Sequence, residues 1–185
     1  MKTHFHSHRR GFTLIEMLAV ITIIVILAGL VIGSMGYVKD KQAREQARVQ
    51  IALLANGLEQ YKVDNGAFPV GANAQVGDSN ILYRALYWDT DNDGEAVEAD
   101  KDQPTYVGEL DPKNNKQKWI EGERAGARIV DPWGKEYYFR SGKLDNGSPN
   151  PSARNPDFDL WSAGPDGKTS SGGDTDATKD DIKAN

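Results

Sequence analysis

The chain has 185 residues, 38% of them hydrophobic, and its 27 Asp and Glu outnumber its 22 Lys and Arg to give a formal net charge of -5. This acidic balance argues against nucleic acid as a primary partner. The chain has no Cys, which excludes a disulfide framework and a thiolate metal site.

A basic leader opens the chain and precedes its apolar run. Residues 1–11 carry three Lys or Arg side chains and end on the small residue Gly11. Residues 17–38 contain no charged side chain, and roughly 20 apolar residues are enough to cross a bilayer. We therefore predict a membrane-spanning helix within 12–38, with the basic leader in the cytoplasm and the remainder of the chain outside.

The position of Gly11 distinguishes this leader from an ordinary secretory signal, whose apolar part precedes the cut and is discarded. Cleavage after Gly11 leaves the helix in the mature protein, which then begins at Phe12. Glu16 lies one turn into that helix, and a carboxylate in a membrane-length helix costs about 2.5 to 3.5 kcal/mol. Two interpretations stay open: Glu16 pairs with the Phe12 amine of a neighbouring copy, or it lies at headgroup level, where the cost is small.

All three His residues, at positions 4, 6 and 8, lie in the leader. Their alternation could bind a metal, although a segment destined for removal is a poor place for such a site. Without the leader the chain has neither His nor Cys, so Ser-His-Asp and Cys-His arrangements cannot be built. We predict no catalytic residue and no enzymatic activity.

Beyond residue 39, apolar side chains recur at spacings of three and four, which predicts that the helix continues in amphipathic form. Gln50 is assigned to the polar side. The Asn65-Gly66 pair predicts the helix end in a left-handed cap. The predicted core face consists of Ala43, Ala47, Ile51, Leu54, Leu58 and Tyr61.

Residues 89–100 have the pattern of a calcium loop, with carboxylates at alternate positions before a glycine turn at Gly94. An Asp replaces the usual Glu at the twelfth position, and a solvated acidic loop is the alternative interpretation. The candidate ligands are Asp89, Asp91, Asp93, Glu95 and Asp100.

Three short strands are predicted after this segment, over 127–130, 136–140 and 157–161. The sequence Asp131-Pro132-Trp133-Gly134 reads as a tight turn, with Pro at its second position and Gly at its fourth. This turn predicts that the first two strands form a hairpin.

Gly11-Phe12-Thr13-Leu14-Ile15-Glu16 resembles the leader and cleavage site of type IV pilins and type II secretion pseudopilins. The segments 61–69, 131–134 and 158–167 are similar to the major pseudopilin of type II secretion. The resemblance implies an α+β, pilin-like fold, in which a long N-terminal α-helix, transmembrane and then amphipathic, packs on a small antiparallel β-sheet. It also implies that Trp133 and Tyr138 help to hold the sheet on the helix.

The resemblance further implies a structural subunit of a type II secretion pseudopilus that polymerises through its N-terminal helix and helps to drive protein export. A prepilin peptidase would cut after Gly11 and methylate Phe12, the other partners being copies of the chain, minor pseudopilins and the inner-membrane assembly platform. The protein would cross the bacterial inner membrane once, with the domain 39–185 in the periplasm. A type IV pilin of a surface filament for adhesion, motility or DNA uptake is one alternative, and a monomeric, membrane-anchored, calcium-dependent binding module is another.

The resemblance also implies a calcium site near the C-terminus. In major pseudopilins a glycine-rich loop followed by acids binds one calcium through carboxylate and carbonyl oxygens, and 164–167, 172–173 and 181–182 match that pattern. The loop is about two residues longer here, so the choice among its acids, Asp180 included, stays open, and a merely solvated acidic tail is the alternative. The implied ligands are Ala163, Asp166, Asp174, Asp176 and Asp181.

Overall fold

The computed structural model of this chain describes residues 12–70, 79–88, 104–170 and 178–184, with the backbone alone at 31–35. Its fold is α+β, with a long N-terminal helix and small antiparallel sheets, as predicted. The chain divides into two compact units, Met1–Asp40 and Lys41–Asn185.

Helix α1 extends over Leu14–Asn65. Its predicted end is confirmed, because Gly66 has a φ of 76° and donates its N–H to the Lys62 carbonyl at 2.8 Å. None of the helices in the described part of the chain is both long and apolar enough to span a membrane. The span predicted within 12–38 is not shown by the structure and stays a prediction.

The remaining elements are short and belong to the C-terminal unit. A second helix, α2, covers Ser79–Tyr83 and continues into a wider helical turn at Arg84–Trp88. Tight helical turns lie at Gly108–Leu110, Pro112–Asn114 and Arg124–Gly126. The strands are β1 (Ile120–Glu121), β2 (Arg128–Ile129), β3 (Tyr138–Ser141), β4 (Phe158–Ser162) and β5 (Ile182–Lys183).

These strands form two sheets, and the predicted hairpin between 127–130 and 136–140 is formed only next to its turn. Strand β2 pairs with β1, whereas β3 is the edge of a three-stranded sheet ordered β3-β4-β5. The turn itself is present, since the Gly134 N–H donates to the Asp131 carbonyl at 2.9 Å. Beyond it, the antiparallel bridge between Val130 and Glu136 joins the two predicted strands, and the Tyr137 N–H donates to the Ile129 carbonyl at 3.0 Å.

The predicted face of α1 forms the core, except that one predicted residue is only half-buried and one residue assigned to the polar side is buried. Ala43 is half-buried, and the other five predicted residues are buried. Gln50, assigned to the polar side, is 1% exposed. Its Oε1 accepts a 2.7 Å hydrogen bond from the Tyr137 hydroxyl, whereas its Nε2 is buried without a partner.

Tyr137 is therefore the aromatic residue that contacts the helix here. The prediction that Tyr138 helps to hold the sheet on the helix is wrong. Side chains alternate along a strand, so Tyr138 points to the opposite face of the sheet from Phe139. Its ring stacks on Trp161 with centroids 5.3 Å apart. Trp133 does pack against the core, where it is partly buried.

Gly142, directly after β3, provides a test of this packing. A Cβ at this position would clash with the Pro156 carbonyl, which is main chain and cannot move aside. We expect Gly142→Ala to destabilise the protein by about 2 to 3 kcal/mol. The control Gly108→Ala places its Cβ in open space. Guanidinium unfolding of the detergent-solubilised full chain, followed by tryptophan fluorescence, measures both, and equal stabilities would contradict the described packing.

Candidate functional site

The first candidate site is the start of α1. Phe12 is 75% exposed, and Gly11 lies outside the described residues. The Thr13 N–H and hydroxyl both donate to Oε2 of Glu16, at 2.9 and 2.7 Å. The Glu16 N–H donates in return to the Thr13 hydroxyl at 3.3 Å.

These three bonds form a capping box, in which an N-terminal Thr and a Glu three residues later satisfy each other's backbone groups. This role of Glu16 was not predicted, although a Thr-x-x-Glu pattern before an apolar run is its usual signal. Both bonds to the carboxylate end on Oε2, so the other oxygen lies outside the box. The pairing of Glu16 with the Phe12 amine concerns two copies and stays a prediction.

The apolar side chains that follow Glu16 are exposed on every side of the helix. From Leu14 to Leu30 each large apolar side chain is at least 46% exposed. An amphipathic helix would show one apolar stripe instead, as the outer part of α1 does. This part of the chain therefore needs an apolar surrounding, either lipid or other protein.

The second candidate site is the acidic loop beside the three-stranded sheet. The structure brings its two described parts together: Asp166 donates its N–H to Oδ2 of Asp180 at 3.3 Å, and the Thr169 hydroxyl donates to Oδ2 of Asp181 at 2.9 Å. Gly164 is required at its position, because its φ is 67° and a Cβ would lie 2.6 Å from the Asp180 carbonyl oxygen.

Of the predicted ligands, Ala163, Asp166 and Asp181 lie in the described loop, whereas Asp174 and Asp176 lie outside the described residues. Asp180, left open among the acids of the loop, lies beside Asp166. The ligands predicted in the other acidic segment, Asp89, Asp91, Asp93, Glu95 and Asp100, are all outside the described residues as well. No group of three or more metal-ligating side chains occurs within 12–70, 79–88, 104–170 and 178–184.

Asp181 nevertheless shows the feature that a cation ligand requires. Its Oδ1 is buried without a hydrogen-bond partner. Burial raises the pKa of the Asp181 carboxyl; the Thr169 hydrogen bond and Lys183 lower it, whereas the nearby carboxylates of Asp180 and Asp166 raise it. A hard cation would supply the missing partner and offset the mutual repulsion of these carboxylates. The described half of the loop thus offers one such carboxylate oxygen, and the calcium ion stays a prediction.

A buried carboxylate, that of Asp131, fixes the start of this loop. Its Oδ1 accepts the N–H groups of Trp133 and Lys135 at 3.0 and 2.8 Å, and its Oδ2 accepts the Ser162 hydroxyl at 2.6 Å. The Gly164 N–H in turn donates to the Ser162 hydroxyl oxygen at 3.0 Å. Burial is the largest effect on the Asp131 carboxyl and raises its pKa. Only a turn was predicted at Asp131, because Ser162, which bonds to its carboxylate, is distant in sequence.

Comparison with known proteins covers both candidate sites. The family model described as the prokaryotic N-terminal methylation motif matches residues 6–32. The chain is 32% identical to the type II secretion system core protein G of Escherichia coli (strain K12) over 174 residues, 94% of this chain and 89% of that protein. It is 33% identical to the protein of the same name from Pseudomonas aeruginosa over 90% of both chains. It is 29% identical to the one from Vibrio cholerae, over 71% of this chain and 70% of the other.

We predict that Asp131→Ala destabilises the protein by about 2 to 3 kcal/mol, because it leaves buried N–H and hydroxyl donors without an acceptor. Thermal unfolding of the purified full chain, followed by circular dichroism, measures the loss. Asp145→Ala, at an exposed position, is the matched control and should change little. An Asp131→Ala variant as stable as this control would show that the carboxylate does not hold the turn and the loop together.

Proposed function

Because the chain belongs to the family of type II secretion system core protein G, and is thus a type II secretion pseudopilin, we propose that it polymerises through its N-terminal helix into a pseudopilus. The methylation-motif match spans Gly11 and Phe12 and supports cleavage between them, with methylation of the new Phe12 amine. The alternative of a surface type IV pilin is not favoured, since the relatives named above are proteins of type II secretion.

The proposed contact between copies joins Glu16 of one chain to the Phe12 amine of the next. The capping box supports this contact, because it holds the carboxylate in place at the start of the helix while leaving one of its oxygens outside the box. A fixed carboxylate loses little further freedom on pairing with an amine. In an apolar surrounding such a pair is far stronger than it would be in water.

The apolar side chains around α1 support packing of the same segment against several neighbours at once. They are exposed all round in the single chain, so a copy can be surrounded by lipid before assembly and by other copies afterwards. Apolar contacts alone leave the stagger between two helices poorly fixed, whereas a charge pair favours one stagger. The Glu16 carboxylate therefore sets the register of the filament.

We place the protein in the bacterial inner membrane, crossing it once within 12–38, with 39–185 in the periplasm. Its partners in this proposal are a prepilin peptidase, minor pseudopilins and the inner-membrane assembly platform. The named relatives are core proteins of a secretion system, which supports a structural subunit and not an enzyme.

We also propose that the acidic loop binds one calcium ion. Asp181 directly precedes β5, and Asp166 follows β4, so an ion shared by their carboxylates would tie the last strand to its neighbour. Ala163 would contribute its carbonyl oxygen, with Asp174 and Asp176 as the remaining ligands. Calcium takes six to eight oxygen ligands of these kinds. A second calcium ion at 89–100 remains a proposal on the sequence pattern alone.

The assembly contact is tested by separating the charge of Glu16 from its capping role. Glu16→Gln keeps an oxygen that accepts the Thr13 bonds but removes the charge, so we expect filament formation to fall by at least about tenfold. Thr13→Val removes the hydroxyl from the capping box and keeps the charge, so filaments should still form. Sheared filaments from cells with native expression, quantified by immunoblot and electron microscopy, give the readout.

Membrane fractionation of the same cells is the control, because both variants should reach the inner membrane in wild-type amounts. Filaments of Glu16→Gln at the wild-type level would refute the charge pair. Loss of filaments in both variants alike would show instead that the capping box is what assembly requires.

The calcium proposal predicts that calcium raises the melting temperature of the detergent-solubilised full chain and that Asp181→Asn lowers the affinity about tenfold or more. Because the pKa of Asp181 is raised by burial, protons should compete with calcium at a higher pH than they would at an exposed Asp. Affinity should therefore fall as the pH is lowered through that pKa. Asp145→Asn is the control, and a wild-type melt that calcium does not change would disprove the site.

A further inference from the structure

The face of the three-stranded sheet opposite the core carries charged and aromatic side chains. Antiparallel pairing sets Arg140 opposite Asp159 and Trp161 opposite Lys183. Alternation along β3 and β4 puts these residues on the face that Tyr138 also occupies, while Phe139 and Leu160 point to the core. The face is therefore a separate surface from the one that packs on α1.

Arg140 is the unusual member of this surface, because it is 2% exposed. Its Nη1 donates to the Ser152 carbonyl and lies 3.8 Å from Oδ2 of Asp159. The guanidinium carbon is 5.5 Å from the centroid of the Trp161 ring. Asp159 is already engaged elsewhere, since its two oxygens accept the N–H groups of Arg154 and Asn155 at 2.9 and 3.0 Å.

The other two nitrogens of the guanidinium, Nε and Nη2, are buried without a hydrogen-bond partner. These two atoms form one edge of the planar group, and their parallel N–H bonds match the two oxygens of a carboxylate. A buried charged donor without an acceptor is costly. Desolvation accordingly lowers the pKa of Arg140.

A cavity of about 230 Å³ lies beside this group, and Arg140, Arg154, Lys183, Asp159 and Asp181 are among the residues that line it. The choice of ligand rests on shape, because the two N–H bonds of Nε and Nη2 are parallel and lie in one plane, as the two oxygens of a carboxylate do.

We propose that this cavity binds a monocarboxylate, which accepts two hydrogen bonds from Nε and Nη2 of Arg140. This edge of the guanidinium, called the fork below, is shielded from solvent, so binding requires the guanidinium to turn toward the cavity. Arg154 and Lys183 contribute charge, and the Trp161 ring limits the cavity on the side of the guanidinium. The carboxylate comes either from a small free acid or from an acidic side chain of another polypeptide, and the chemistry of recognition is the same for both.

The test uses the full-length protein in detergent micelles, with the arginine Nε–H signals observed by nuclear magnetic resonance. Sodium acetate represents the free acid, and the peptide acetyl-Gly-Glu-Gly-amide represents the side chain. At constant ionic strength we expect one or both to move the Arg140 signal in a saturable way. The Arg128 signal is the internal control, because that side chain is half-exposed and already paired with Glu121.

Saturation by acetate identifies the free acid as sufficient, and saturation by the peptide alone assigns the cavity to an acidic side chain. An unmoved signal with both probes, or an equal movement with sodium chloride, would overturn the site. Tighter binding of inorganic phosphate than of acetate would overturn the assignment to a monocarboxylate.

Two variants distinguish the two-point contact of Arg140 from the charge of its neighbours. Arg140→Lys keeps the charge but loses the two-point contact, so acetate affinity, followed by melting temperature, should fall about tenfold. Arg154→Gln keeps the fork and should weaken binding only about threefold. Arg128→Gln is the matched surface control. If Arg140→Lys does not fold, the wild-type titration and the Arg154→Gln variant still test the site. Unchanged acetate affinity in Arg154→Gln, together with an unmoved Arg140 signal, would refute the proposal.

Discussion

The apolar stripe on the outer part of α1 is the surface on which the C-terminal unit is built. Ile51, Leu54 and Leu58 on this stripe belong to one buried cluster that includes residues of all five strands. Fully burying a side chain of this size contributes about 1.5 to 3 kcal/mol. The strands have only two to five residues each, too short to be stable as sheets by themselves. Their order therefore depends on the helix beneath them.

One face of the three-stranded sheet packs on the helix, so its other face and its ends can bind ligands. The Asp131 carboxylate joins the turn after β2 to Ser162 at the end of β4, and this fixes where the acidic loop departs. The loop then returns through Asp181 into β5. Asp181 also lines the cavity beside Arg140, so a cation at the loop and an anion at Arg140 would be neighbours on the same short strands.

The features that the sequence predicted well are those set by neighbours along the chain. The end of α1 follows from the left-handed conformation of Gly66, and its core face follows from helical periodicity. The capping box at Glu16 is equally local, because Thr13 and Glu16 are three residues apart. Gln50 could not be placed from its own segment, because the hydroxyl that permits its burial belongs to Tyr137, 87 residues away.

The strand pairing was predicted only in part for a related reason. The segment before the turn has two edges, and the predicted hairpin accounts for one of them, where the Ile129 carbonyl accepts the Tyr137 N–H. On the other edge the Val130 N–H donates to Trp119, which joins β2 to β1. This second partner is not indicated by the turn or by the residues beside it.

The outer and inner parts of α1 differ in how they select the surfaces that they contact. The outer part has a single apolar stripe, so its partner is specified by shape within the same chain. The inner part is apolar on all sides, which allows many neighbours but specifies none of them. Specificity there has to come from a polar group, and Glu16 is the carboxylate at the beginning of that part. Because the capping box holds this group in position before any neighbour arrives, the chain would enter the proposed assembly with its contact already oriented.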